Sequence, residues 1–353
     1  MSNFFLIRQL FLLGSFCVSF FSIALSISSL NALRSSAGLI NPSNPRIGRE
    51  QVLGGSTRGG SNREIVVDNF PGAPIAWCIL DDDNSNPRHF HHFPHASQIL
   101  LPCWSYFSRE RERNPSIACG FWLDSEQLEL SAGWVTDFVA TLGCTVTHVA
   151  PISLQFSHRP QRHQHMTWFH NESDSASLRE QVVGTVQRSP VPFQPRIGLV
   201  QRKSCWTRGN RFIHNLSLIQ TELQEQFPDS VVQLQHMEDM DFKEQASWWS
   251  QQDVVVGAHG ASMTNLIFLT PAAAVVEIFP EHFYPIDFYQ SLSASCGVRH
   301  FGWYNNVTDP LADYRAHCHN AVDRDRYRTV DLTPPLEQVV ELVRQAVTGR
   351  DGF

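Results

Sequence analysis

The run Val254-Val255-Val256-Gly257-Ala258-His259-Gly260-Ala261-Ser262-Met263-Thr264-Asn265 places a histidine in a glycine-flanked turn behind a row of valines. A second apolar run, Ala274-Val275-Val276-Glu277-Ile278-Phe279-Pro280, carries one acid near its end. Such a turn between a buried strand and a helix frees backbone N–H groups, which suits a phosphate or diphosphate. His259 could bond a phosphate, contact a sugar, or be a core histidine satisfied by backbone. Glu277 needs a partner wherever it is buried; a ribose hydroxyl pair or an arginine would serve. The plainer reading is an ordinary strand–turn–helix unit.

Two further clusters could do chemistry. Gln201-Arg202-Lys203, followed by Arg208 and Arg211, is a basic run in which planar guanidinium groups could hold a diphosphate by paired hydrogen bonds. A solvated basic turn would look the same. His89 and the run Phe90-His91-His92-Phe93-Pro94-His95 put four histidines between 89 and 95. Together with His317-Cys318-His319 they invite a zinc reading. Pro94 argues against a helix starting early enough to pair His91 with His95, and no carboxylate lies in the cluster, so no metal is assigned. Asp81-Asp82-Asp83 could hold a divalent ion on a nucleotide diphosphate, although acidic loops of this kind are common. Ser262 near His259 raises a hydrolase, but the chain has no G-x-S-x-G elbow.

These residues need a scaffold of parallel strands. Strands are expected at 75–80, 117–123 and 145–149, with helices at 96–107, 132–142 and 175–187. After a break at Pro190, Pro192 and Pro195 the alternation restarts, with strands at 196–200 and 231–234, helices at 213–227 and 242–249, and then the two valine runs. Two α/β halves joined by a proline-rich link suggest a pair of facing Rossmann-like lobes, 65–190 and 191–335. The amphipathic stretch 336–353 is expected to pack back on both.

With 353 residues and 42% hydrophobic content the chain can build two cores. A net charge of −7 without a basic block argues against a nucleic-acid partner. Residues 10–30 form an uncharged apolar run long enough to span a bilayer, flanked by Arg8 and Arg34. We read 1–9 as a cytoplasmic tail, 10–30 as a retained signal anchor and 31–64, rich in Ser, Gly and Pro, as a flexible stem; a cleaved signal is the alternative. The expected location is the Golgi or ER membrane, single-pass type II, with the catalytic part luminal. The sequons at Asn171, Asn215 and Asn306 agree with that. So do Cys78, Cys103, Cys119, Cys144, Cys205, Cys296 and Cys318, of which several should pair in an oxidising lumen.

The His259 segment resembles the C-terminal motif of glycosyltransferase family 61, in which HGA, a nearby Asn and a Glu-Ile/Val pair follow a Val-rich strand. Arg202, Lys203, Arg211, Ile213 and Asn215 resemble the family's Arg-rich segment, and Glu244-Gln245 matches a family pair. The segment 90–102 resembles a Phe-His-x-Phe-x-Asp motif, with His95 where relatives carry Asp. The resemblance implies a GT-B fold and a metal-independent, inverting transfer from a UDP-sugar to a glycan or protein hydroxyl, with no cofactor. It implies donor contacts from Arg202, Arg211, Gly257, His259, Gly260, Ala261, Asn265 and Glu277. His95, or His91 beside it, would be the general base, since neutral His can replace Asp in that role. The departure at His95 equally allows a sugar-binding pseudoenzyme, and Asp81/Asp83 leave a metal-dependent GT-A enzyme as a further alternative.

Overall fold

The computed structural model describes residues 74–80, 93–123, 133–147, 157–158, 168–184, 194–203 and 211–349. The anchor and stem, Asp81–Asp83, His91, Cys205 and Arg208 lie outside the described residues. Among the described residues no helix is long and apolar enough to cross a membrane.

The first half carries β1 (Ile75–Ile79), α1 (Phe93–Arg113), β2 (Ala118–Trp122), α2 (Gly133–Thr141), β3 (Thr145–Thr147), β4 (Ser157–His158) and α3 (Glu172–Val183). Its four strands pair in parallel in the order β3-β2-β1-β4. α1 starts at Phe93, earlier than expected, with Pro94 in its first turn. A proline is tolerated there because the first N–H groups of a helix have no intrahelical partner. Cys78 on β1 is bonded to Cys103 on α1, and Cys119 on β2 to Cys144 ahead of β3. Cys296 and Cys318 are buried free thiols.

The second half carries β5 (Arg196–Gln201), α4 (Leu216–Gln226), β6 (Val231–His236), α5 (Phe242–Ser250) and β7 (Val254–Ala258). A 3-10 helix (Ala261–Phe268), β8 (Ala274–Ile278), α6 (Ile286–Ser295) and β9 (Arg299–Trp303) follow. The chain ends with α7 (Pro310–His317), α8 (Ala321–Tyr327) and α9 (Leu336–Thr348). The five strands are parallel in the order β6-β5-β7-β8-β9. The molecule is therefore an α/β protein with two parallel sheets.

Period-two alternation splits the second sheet between two cores. Ile197, Leu199, Val254, Val256, Ala274 and Val276 face one way, against α4 and α9. Val200, Val255 and Val275 face the other, towards α5, the 3-10 helix and α6. That inner core runs on without interruption into α1, α2 and the first sheet. Phe93, Phe138, Phe242 and Phe268 cross the junction as successive edge-on ring pairs. Trp168 Nε1 donates to Ser291 Oγ at 2.8 Å across it, and Arg179 Nη1 to the Leu269 carbonyl at 2.9 Å.

The buried residues of α9, Val339, Val340, Val343 and Ala346, belong to the outer core of the second sheet. The helix's apolar stripe is satisfied by β7, β8, β9 and α4.

Candidate donor-binding site

β5 and β7 are neighbours, yet the chain leaves β5 towards β6 on one side and reaches β8 and β9 on the other. That reversal leaves a crevice beyond their carboxyl ends, where open α/β sheets bind ligands. Arg202 follows β5, and the turn His259–Gly260 follows β7, so the sheet brings both to this crevice.

Gln201, buried at the end of β5, fixes the surrounding backbone. Its Nε2 donates to the Ile213 carbonyl at 2.8 Å, and its Oε1 accepts from the N–H groups of Arg202 (3.1 Å) and Ile213 (3.2 Å). This clamp draws Arg211 up to Arg202. Arg211 has φ of 44°, a left-handed conformation that costs an L residue about 1–2 kcal/mol. Its Nη1 donates to the His259 carbonyl at 2.7 Å, while its buried Nε has no hydrogen-bond partner. Burial and the charge of Arg202 push the Arg211 guanidinium down to about 9. Burial also lowers Arg202, against the opposing pull of Glu238 and Tyr289. Two cationic groups thus share a desolvated corner, an arrangement that an anion would relieve.

Two glycines let side chains close in on the turn. A Cβ on Gly257 would lie 2.9 Å from Met263 Cε and 3.2 Å from Val200 Cβ. One on Gly260 would lie 2.5 Å from Arg202 Nη2 and 3.3 Å from Arg211 Nη1. Both guanidinium groups therefore converge on Gly260, at the start of the 3-10 helix that carries Ala261 and Asn265. Asn265 Nδ2 donates to Gln245 Oε1 at 2.9 Å, and Gln245 Nε2 donates to the carbonyls of Met237 and Met240. Asn265 and Gln245 thus brace the helix rather than open to the crevice.

His259 and Glu277 are one unit. Their strands pair with Ala258 opposite Ile278, so the two side chains project from the same face of the sheet. His259 Nδ1 lies 2.5 Å from Glu277 Oε1, and His300 Nε2 on β9 lies 2.6 Å from Oε2. Both carboxylate oxygens are engaged by histidines. Within the protein, two histidines rather than an arginine satisfy Glu277. Burial would raise Glu277, but the bonds and charges of His259 and His300 outweigh it and hold the carboxyl below its ordinary range. Burial lowers His259, aided by Arg211 and Arg202 and opposed by Glu277. In this pair Glu277 accepts Nδ1–H from the His259 ring. Phe279 stacks on the His259 ring at 5.3 Å, with Phe283 and Tyr289 on its other sides.

His95 lies half-buried in the first turn of α1, a helix that packs against the 3-10 helix following His259. Ser262 makes no hydrogen bond to His259, and His259 Nδ1 is committed to Glu277. Sequence reasoning missed His300, whose signal was its position on a strand beside Glu277.

Residues 132–276, from the start of α2 into β8, match the model of the family described as Glycosyltransferase 61. This part of the chain is similar to that glycosyltransferase family. No curated protein matches it. Among solved structures it is similar to the iron-containing dodecameric glycosyltransferase TibC from enterotoxigenic E. coli H10407, at 10% identity over 78% of this chain and 79% of that one, with a TM-score of 0.36. The heptosyltransferase TibC in complex with ADP-D-beta-D-heptose gives 10% identity over 79% and 77%, with a TM-score of 0.35. A rubredoxin oxygen:oxidoreductase from Desulfovibrio gigas gives 11% identity and a TM-score of 0.26, over 45% of this chain. This chain spans 38% of the length of that oxidoreductase.

Proposed function

We propose that this protein is a glycosyltransferase that moves a sugar from a UDP-sugar to a hydroxyl of a glycan or protein, with inversion and without a metal at the nucleotide. The observation that carries the reading is the convergence of Arg202 and Arg211 on Gly260 at the reversal of strand order. The diphosphate would lie against the two guanidinium groups and the backbone N–H groups of the 257–261 turn. Glu277 acts from behind, holding His259 in one tautomer so that its Nε2 edge can meet the donor. The acceptor would approach from the first half, a GT-B arrangement, with His95 taking its proton.

Calorimetric titration with UDP, without added divalent cation, tests this directly. Arg202→Ala should weaken binding by about 1.5–3 kcal/mol, the range for losing a hydrogen bond to a charged group, or roughly 10- to 150-fold. Unchanged affinity, or a requirement for added magnesium or manganese, would sink the arrangement.

The same reading places the protein in the secretory pathway as a type II membrane protein, anchored by residues 10–30. The two disulfides and the exposed sequon at Asn171 support it. Asn215 contributes nothing, because its Nδ2 already donates to the Pro334 carbonyl at 2.7 Å. Glycosidase digestion of full-length protein from cells should shift its band, and Asn171→Gln should reduce the shift while Asn215→Gln leaves it unchanged. An unglycosylated, carbonate-extractable protein would contradict the topology.

A further inference from the structure

His282, Asp313 and His317 lie apart from the arginine corner and take no part in the donor site. Asp313 and His317 stand four residues apart on one side of α7, a spacing that places both side chains over one turn. His282 reaches them from the turn after β8. His282 Nδ1 is 2.9 Å from Asp313 Oδ2, and His317 Nδ1 is 3.3 Å from Asp313 Oδ1. The two imidazoles stack with centroids 3.9 Å apart; His282 Nδ1 faces the carboxylate, while His317 Nδ1 lies between that carboxylate and the Asp313 backbone carbonyl at 2.9 Å. One ligand atom from each of the three residues falls within 4.8 Å of the others. Tyr327 presents its ring edge-on to both histidines, and the cluster is half-buried, shielded yet open to an entering ion.

We propose that these three residues bind a divalent transition-metal ion of the zinc class, with a solvent molecule completing the shell. Zinc bonds to histidine nitrogen and carboxylate oxygen are about 2.0–2.2 Å long. Ligand atoms on such an ion are roughly 3.0–3.4 Å apart in octahedral or tetrahedral geometry, as those bond lengths require. The two separations observed here are already close to that. To bind, each imidazole carries its proton on Nε2, and His317 exchanges the contact of its Nδ1 with the Asp313 carbonyl for the ion. The backbone at His282 supports a dedicated role: its φ of 62° is left-handed, where glycine would be the easier residue.

The ion would pin the 280–284 turn to α7. That turn carries Phe283, which abuts His259, and Tyr314 on α7 packs edge-on against Phe283. The site would thus brace the aromatic wall around His259 without touching a donor.

The test uses full-length protein without a histidine tag, incubated with zinc chloride, desalted and analysed for metal by mass spectrometry, with melting followed in parallel. Wild type should retain about one zinc per chain and melt at a higher temperature with zinc than after chelation. His317→Ala should lose both effects. His282→Gly is the control for folding, since glycine fits the left-handed turn: it should be as stable as wild type in zinc-free buffer yet gain nothing from zinc. Absence of retained zinc in wild type, or retention of zinc by both variants at the wild-type level, would overturn the proposal. The second outcome would place the ion elsewhere in the chain.

Discussion

Glu277→Ala should be the most disruptive single change to the second half, lowering stability by about 2–6 kcal/mol. The substitution removes the acceptor for two buried donors, His259 Nδ1 and His300 Nε2. Each orphaned buried donor costs about 1–3 kcal/mol. Glu277→Gln should cost less, because its amide oxygen still accepts from one histidine. Urea denaturation followed by tryptophan fluorescence measures both; a loss under about 1 kcal/mol for the alanine variant would contradict the pairing.

The sign of the pH dependence follows from the same geometry. Glu277 is held below its ordinary value of 4.5, so its contribution is complete above that pH and is lost as pH falls through the lower folded value. His259 is held below 6.5. Its unfolded form takes up a proton below 6.5 while the folded form resists, so this group also removes stability as pH falls. Acid therefore weakens the native protein in two stages, starting below 6.5. The gap between wild type and Glu277→Ala should narrow only in the second stage, below 4.5. A gap that closes already at neutral pH would mean that the carboxylate is not ionised there.

The second large effect is expected at His95. If it removes the acceptor proton, His95→Ala should cut turnover by about 100- to 10,000-fold, the contribution typical of a general base. UDP affinity should hold, because Arg202, Arg211 and the turn are untouched. His95→Asp should recover part of the rate and move the acidic limb of the pH profile down, since Asp ionises near 3.9 against about 6.5 for His. Full turnover in His95→Ala would exclude the role. Activity in His95→Asp but not in wild type would mark the natural protein as a pseudoenzyme.

Much of this architecture is legible in the residues. The valine runs of β7 and β8 can hardly be anything but strands buried on both faces, and β5, β6, α5 and α9 fall where their apolar periodicity puts them. The convergence of Arg202 with the His259 turn follows from both lying at carboxyl ends of parallel strands. What escaped was non-local. β9, Arg299-His300-Phe301-Gly302-Trp303, has two basic residues and a glycine, so its pattern carries little strand signal. It becomes a strand because β8 offers it a parallel partner, and only that register sets His300 beside Glu277. α1 began early because proline is harmless in a first turn. The sequon at Asn215 gives no hint that its side-chain amide donates to the Pro334 carbonyl.

The core that runs unbroken from Ala76 on β1 to Val275 on β8 bears on how a donor can be enclosed. Two-lobed enzymes often seize a substrate by swinging one lobe against the other on a hinge. Here such a swing would pull Phe138 off Phe242 and break the Trp168–Ser291 bond, exposing packed aromatic surface to water. Enclosure must therefore come from segments that move over a fixed floor. For the same reason the nucleotide-binding half is no detachable cassette: cut free, it would carry a raw apolar face where Met263, Leu266 and Phe268 now meet the other half.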